Sequence, residues 1–211
     1  MKKEHSIRID RSKLHPWLNY KLELLLKQCA KKKIFLIITE GFRSKEYQDN
    51  LYAKGRTKPG RIVTNAKGSD YSSQHQWGIA FDIAINDNRL LYNEAMIRKV
   101  AKIAKSKKVG LAWGGDWISP VDTPHFYLDK WGDTPSKLKR TYGNFDNFHK
   151  TWTKKVFETK KGLNIWNKSK TKVLKKKIPN GTRVNVMYVK GGYAKVAYKG
   201  VVGYMRKKYL K

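Results

Sequence analysis

Apolar residues first recur at helical spacing. Leu18, Leu22, Leu25, Leu26 and Cys29 fall on one stripe and predict a helix over Trp17 to Lys33. A short strand, Ile34 to Thr39, follows. The turn G-F-R-S then opens a second helix over Lys45 to Ala53. Gly55 to Gln74 is rich in Gly, Lys, Thr and Ser and reads as a long loop, a feature that is usually functional or mobile in a compact domain. Gly78 to Ile85 alternates like a strand. Asn93 to Lys107 reads as a helix with Ala95, Met96, Val100, Ile103 and Ala104 turned inward. Short strands are expected at Leu111 to Trp113 and His125 to Leu128, and a closing helix at Pro135 to Tyr142.

The pattern changes near Thr151. The segments T-R-V-N-V-M-Y-V, Y-A-K-V-A-Y and V-V-G-Y-M have period two and are separated by P-N-G, K-G-G and K-G turns. They predict a small all-β, barrel-like module. The division expected is 1–150 for an α+β domain, 151–161 for a linker and 162–211 for the β module.

Composition adds charge to this picture. The chain has 211 residues, 47 Lys or Arg, 16 Asp or Glu and a formal charge of +31. Residues 151–211 hold 18 of those cations and a single acid, Glu158. Such a balance suits nucleic acid, an anionic membrane surface or an anionic wall polymer, and lysine dominance favours diffuse attraction over planar forks. The one cysteine, Cys29, rules out an intrachain disulfide and a cysteine-rich metal site, and is expected as an inert buried thiol. The longest apolar run, Ile34 to Ile38, is too short to span a bilayer. The start, M-K-K-E-H-S-I-R-I-D-R-S, lacks the apolar core of a signal peptide, so synthesis in the cytoplasm is expected.

Candidate chemistry centres on S-S-Q-H-Q-W-G-I-A-F-D-I-A-I, residues 72–85. In a strand, Ile79, Phe81, Ile83 and Ile85 share one face, and Gly78, Ala80, Asp82 and Ala84 the other. The second face is all small except for an acid. Burying an unpaired carboxylate costs roughly several kcal/mol unless it is paired or binds a metal. His75 lies just upstream and His125 sits in D-T-P-H-F-Y-L. Two histidines and one carboxylate leave one coordination position open, the form of a catalytic zinc site. Asp122, three residues before His125, stands where a general base could take a proton from water. Spacing alone leaves a second reading open, with His75 capping a loop and Asp82 paired to a lysine.

These residues also carry a resemblance. S-S-Q-H-Q-W-G-I-A-F-D matches an S-x-H-x-x-G-x-A-x-D motif, and W-G-G-D-W…D-T-P-H-F matches its second half. The chain resembles peptidase family M15, the VanY-like D-Ala-D-Ala carboxypeptidases and L-alanyl-D-glutamate peptidases. G-F-R-S-K-E-Y-Q-D-N-L-Y-A-K-G-R-T is similar to the phage endolysin branch. The resemblance spans roughly residues 39–126 and implies a Hedgehog/DD-peptidase-like α+β fold. It implies zinc on His75, Asp82 and His125, Asp122 as general base, Arg43 at the substrate carbonyl and Ser73 lining the substrate cleft. Gln48 reads either as substrate-facing or, by preference, as a helix hydrogen-bonder, and Trp113, Asp116 and Trp117 as site wall. Tyr127 departs from the family pattern, which puts a supporting hydrogen bond from that position in doubt. The tail resembles a bacterial SH3-like (SH3b) domain, with Tyr193, Tyr198 and Tyr204 either lining a groove or packed in the core.

The resemblance implies an endolysin-like peptidoglycan hydrolase, released by a holin, that cuts the L-alanyl-D-glutamate bond of the stem peptide. The module would bind peptidoglycan or anionic polymers such as teichoic acid. A D-alanyl-D-alanine carboxypeptidase is the first alternative, and a non-catalytic basic module binding wall or nucleic acid the second. No nucleic-acid motif is present in the sequence, and oligomeric state is not legible.

Overall fold

The computed structural model describes residues 4–211. The chain divides into two compact units, Met1–Phe145 and Asp146–Lys211.

The first unit is a five-stranded mixed sheet with helices. Its elements are β1 (Ser6–Ile7), α1 (Pro16–Lys31), β2 (Leu36–Glu40), α2 (Lys45–Ala53), β3 (Ala80–Ile85), α3 (Glu94–Lys105), β4 (Ala112–Trp113), β5 (His125–Tyr127) and α4 (Ser136–Tyr142). A short helix, α5 (Phe145–Lys150), follows. Strand order is β1-β2-β3-β5-β4, with β1 parallel to β2 and the other pairs antiparallel.

Helix α1 begins at Pro16, whose missing N–H costs nothing in a first turn. His15 caps it, with Nδ1 accepting from the Trp17 N–H at 3.2 Å. Leu18, Leu22, Leu25, Leu26 and Cys29 are all buried, and burial pushes the Cys29 thiol up to about 12, as suits an inert thiol. Helix α3 buries Ile97, Val100, Ala101 and Ala104. This stripe differs from the expected one: Ala95 is exposed, and Met96 and Ile103 are only half-buried. Asn93 caps the helix through the Met96 N–H, so residues 95 and 96 belong to a first turn that faces outward.

Strand β3 is central, and Ala80, Phe81, Ile83, Ala84 and Ile85 are buried on both faces. Asp82 alone is half-buried. Two features aim the site. A bulge between Ile38 and Glu40 sets Glu40 opposite Asp82, and on the other side Asp82 pairs with His125. The long loop from Gly55 is not loose. Gln48 on α2 donates to Thr64 Oγ1 and the Ala66 carbonyl (3.2 and 2.9 Å), and Asp49 accepts from the Gly68 and Ser69 N–H groups.

The second unit is an antiparallel six-stranded sheet of order β6-β9-β10-β11-β7-β8. Its strands are β6 (Thr153–Lys155), β7 (Leu163–Trp166), β8 (Val173–Ile178), β9 (Arg183–Lys190), β10 (Tyr193–Tyr198) and β11 (Val201–Arg206). Its core gathers Val156, Leu163, Ile165, Ile178, Val184, Ala194, Val196 and Met205. Tyr198 packs against that core, whereas Tyr193 and Tyr204 are half-buried on the other face. Residues 151–161, read as linker from composition, carry β6, which pairs with β9, and the buried Trp152 and Val156.

Candidate metal centre and peptide cleft

His75 sits on a short 3-10 helix, Gln74–Trp77, that enters β3 through Gly78. Gly78 adopts φ 62°, a left-handed turn that a side chain would disfavour. Ser73 caps this helix: its Oγ accepts from the His75 N–H at 3.3 Å, while Gln76 reaches back to the Ser73 N–H. Ser73 borders the cleft, and its hydroxyl also fixes the backbone of His75.

Three ligand atoms converge. His75 Nε2 lies 3.2 Å from Asp82 Oδ1 and 3.1 Å from His125 Nδ1, and His125 Nδ1 lies 3.0 Å from the same Asp82 oxygen. The remaining ring nitrogens set the tautomers. His75 Nδ1 is 2.6 Å from the Gly41 carbonyl, which only accepts, so Nδ1 carries the proton. Gln74 spends its NH2 on the Gly132 and Asp133 carbonyls, which turns Oε1 toward His125 Nε2 at 2.6 Å. That nitrogen therefore carries the proton of His125. Two imidazole lone pairs and a carboxylate oxygen face one another with no hydrogen between them.

Such a triangle is repulsive unless a cation fills it. Zinc bonds of about 2.0–2.1 Å in a tetrahedron hold neighbouring ligand atoms about 3.3 Å apart, close to the observed edges. The donor set therefore fits a divalent metal. Burial lowers the pKa of His75 and favours its neutral ring, against the pull of Asp82. Burial also opposes ionisation of Asp82, but when the rings of His75 and His125 hold a facing proton in place of a metal, their charge and hydrogen bonds override this and hold the carboxyl well below the usual carboxylate range.

Arg43 does not stand free in the cleft. Its Nη2 lies 3.2 Å from Asp82 Oδ2, its Nη1 donates to Gln48 Oε1 at 3.4 Å, and its Nε lies 3.4 Å from Glu40 Oε2. Gln48, fully buried, is thus more than a helix hydrogen-bonder: it joins Arg43 to the loop at 64–66.

Asp122 borders the same cleft. Its backbone N–H donates to the Gly114 carbonyl (3.1 Å), Trp113 Nε1 donates to the Thr123 carbonyl (2.7 Å), and the Ile83 N–H donates to the Pro124 carbonyl (3.1 Å). These bonds fix the loop on both sides of the acid. Burial, then the charge of Asp82, raises the Asp122 pKa, which makes it a stronger base than an ordinary aspartate.

Gln74 and Asp133 carry no signal that sequence reading found. Tyr127, the departure from the family pattern, accepts from Trp117 Nε1 (3.0 Å) and donates to Asp133 Oδ1. Burial and that carboxylate push its phenol up to about 12. Trp117 packs 5.1 Å from the His125 ring. A closed circuit of contacts thus runs from His125 through Gln74, Asp133, Tyr127 and Trp117. The cleft above has a volume of about 900 Å³, and Thr64, Asn65, Trp117, Ile118 and Pro120 are among the residues that line it.

A cation-shaped triad, an adjoining basic carboxylate and a cleft of about 900 Å³ define the class: a metal-dependent peptide hydrolase. Two comparisons of sequence agree. A family model described as D-alanyl-D-alanine carboxypeptidase, from the M15 peptidases, matches residues 67–128. The peptidoglycan L-alanyl-D-glutamate endopeptidase CwlK of Bacillus subtilis (strain 168) is 39% identical over 128 residues, covering 56% of this chain and 74% of that protein. The crystal structure of the Serratia marcescens L-Ala D-Glu endopeptidase ChiX aligns over 56% of this chain and 82% of its own, with a TM-score of 0.39 and 19% identity. The chain belongs to the M15 family of peptidases.

Proposed function

We propose that the protein is a zinc-dependent peptidoglycan hydrolase that cuts the L-alanyl-D-glutamate bond of the stem peptide. The observation that carries this is the triangle of His75, Asp82 and His125, with Asp122 beside it. The identity to the Bacillus endopeptidase supports the choice of bond. Zinc bound at the triangle supplies Lewis acidity and acidifies water. The chain does the rest. His75 and His125 offer lone pairs whose direction is fixed by Gly41 and Gln74. Arg43 orients Asp82 and brings positive charge to the cleft wall, where a carbonyl oxygen gains negative charge during attack. Asp122 takes the proton from the attacking water and passes it to the departing amine.

The second unit resembles an SH3-like module and holds the enzyme on the wall, where even weak affinity raises local concentration. An endolysin role, with holin-assisted release, belongs to the same reading. Among the described residues, no helix is long and apolar enough to cross a membrane.

Mass spectrometry of digested peptidoglycan, with and without a chelator, tests the proposal. A new N-terminal D-glutamate amine that chelation abolishes is expected. Release of free D-alanine instead would make the enzyme a carboxypeptidase. Asp122→Ala should lose product while metal content is unchanged, and undiminished turnover would remove Asp122 from its role.

A further inference from the structure

One face of the second unit carries a row that its core does not explain. Strands β9, β10, β11 and β7 are neighbours in that order. The pairing register sets Tyr188 opposite Lys195, Lys195 opposite Tyr204, and Tyr204 opposite Trp166. A bulge in the β9–β10 pairing brings Tyr188 into line. All four are half-buried, while Ala194, Val196 and Met205, which alternate with them, lie in the core.

Ammonium groups are held over this row. Lys170 Nζ lies 5.0 Å from the Tyr193 ring centroid and 5.6 Å from that of Tyr204, and Lys195 Nζ lies 5.9 Å from Tyr188. The Tyr188 and Tyr204 hydroxyls sit 3.2 Å apart. Cation–π attraction limits where the two ammonium groups can go without neutralising them. The result is two positioned cations beside two hydroxyls, on a unit whose residues 151–211 hold 18 Lys or Arg against one acid.

We propose that this row, centred on Lys170, Lys195, Tyr188 and Tyr204, is a docking surface for a phosphodiester-linked polyol chain of the bacterial wall. The assignment rests on the wall-directed reading above; it adds a face and narrows the partner from peptidoglycan or any anionic polymer to a phosphodiester-linked one. Charge complementarity selects a polymer with a fixed negative charge in every repeat. Compact ammonium groups suit phosphodiester oxygens as point charges, and whichever of the two paired hydroxyls accepts from the other keeps its own proton to donate to the same oxygens. Single-stranded nucleic acid fits less well. It needs open aromatic faces for base stacking, and Lys170 already lies over those of Tyr193 and Tyr204.

The test uses the full chain and four probes. These are intact wall sacculi, sacculi stripped of phosphodiester polymers with hydrofluoric acid, soluble poly(glycerol phosphate), and oligo-dT. Binding to intact sacculi and poly(glycerol phosphate) should exceed binding to the other two. Lys170→Gln with Lys195→Gln should weaken that binding at least about 10-fold and lower its logarithmic salt slope by about 1–2. Lys160→Gln with Lys161→Gln removes the same charge from elsewhere and should cost much less. Tyr204→Phe keeps the ring and should cost about 2–10-fold, the value of one hydrogen bond. Equal binding to stripped sacculi, an equal loss in the Lys160/Lys161 variant, or preference for oligo-dT would overturn the assignment. Hydrolysis of a soluble stem peptide is read in parallel. It should be unchanged in the Lys170/Lys195 variant, and its absence in the wild type would place the failure in the catalytic reading instead.

Discussion

His15 links acid stability to the support of the metal centre. The residue is 5% exposed, and its ring caps α1 through Nδ1 and packs 5.4 Å from Trp131 in a T-shaped contact. Its backbone N–H donates to the carbonyl of Gly78, the residue that closes the His75 helix (2.8 Å). Burial, reinforced by the charge of Lys130, lowers its pKa from 6.5 to about 3. The unfolded chain therefore binds a proton at His15 that the fold refuses. Stability from this residue is complete above pH ~6.5 and is lost progressively as the pH falls toward ~3. Each unit of pKa difference is worth about 1.4 kcal/mol, so the full loss is about 5 kcal/mol, of which about 3 kcal/mol falls between pH ~7 and pH ~4.5. His15→Asn keeps a side-chain acceptor for the Trp17 N–H and removes the titration. The variant should start less stable, because the contact with Trp131 is gone, and then lose about 3 kcal/mol less on acidification. Urea unfolding is followed through amide resonances of β3, with both proteins in the same chelator so that His75 and His125 contribute equally. The His15 ring resonance should show no titration above pH ~4.5. A midpoint near 6.5, or parallel acid losses in the two proteins, would refute the reasoning.

Gly114→Ala tests how closely the base must sit to the metal centre. The added methyl would lie 2.7 Å from the Asp122 carbonyl oxygen and 3.1 Å from His125 Cβ, so Asp122 must shift. A displacement of about 1 Å should cost about 100-fold in kcat on a soluble stem peptide with metal content unchanged. Gln74→Leu leaves the buried His125 Nε2–H without its acceptor and should weaken metal affinity about 10–100-fold in a competition titration. Gln74→Glu, which keeps an acceptor, should retain more of that affinity.

The legible parts of the site were those in which one strand does the positioning. Asp82 stood out because period-two alternation placed an acid among Ala80 and Ala84, and His75 lay within the same local run. Helix α1 was legible for the same reason: its apolar stripe is local. What could not be read joins residues far apart in the chain. Gln74 reaches the carbonyls of Gly132 and Asp133, and Tyr127 closes the circuit through Asp133 and Trp117, none of which leaves a periodic signal. Strand β8, V-L-K-K-K-I, has four exposed residues in succession and no alternation, so only pairing with β7 makes it a strand. The bulge that brings Glu40 opposite Asp82 is likewise a property of two strands together.

The circuit around His125 also gives the departure at Tyr127 a physical sense. Asp133 accepts from the tyrosine hydroxyl through its side chain and from Gln74 through its backbone. The phenol therefore fixes the segment that orients the amide, and the amide fixes the ring that presents its lone pair to the metal. A tyrosine at this position supports His125 through two intervening residues, so the support is a property of the circuit. Loss of the Tyr127 hydroxyl should therefore be felt first as disorder at 132–133 and only through it at the metal.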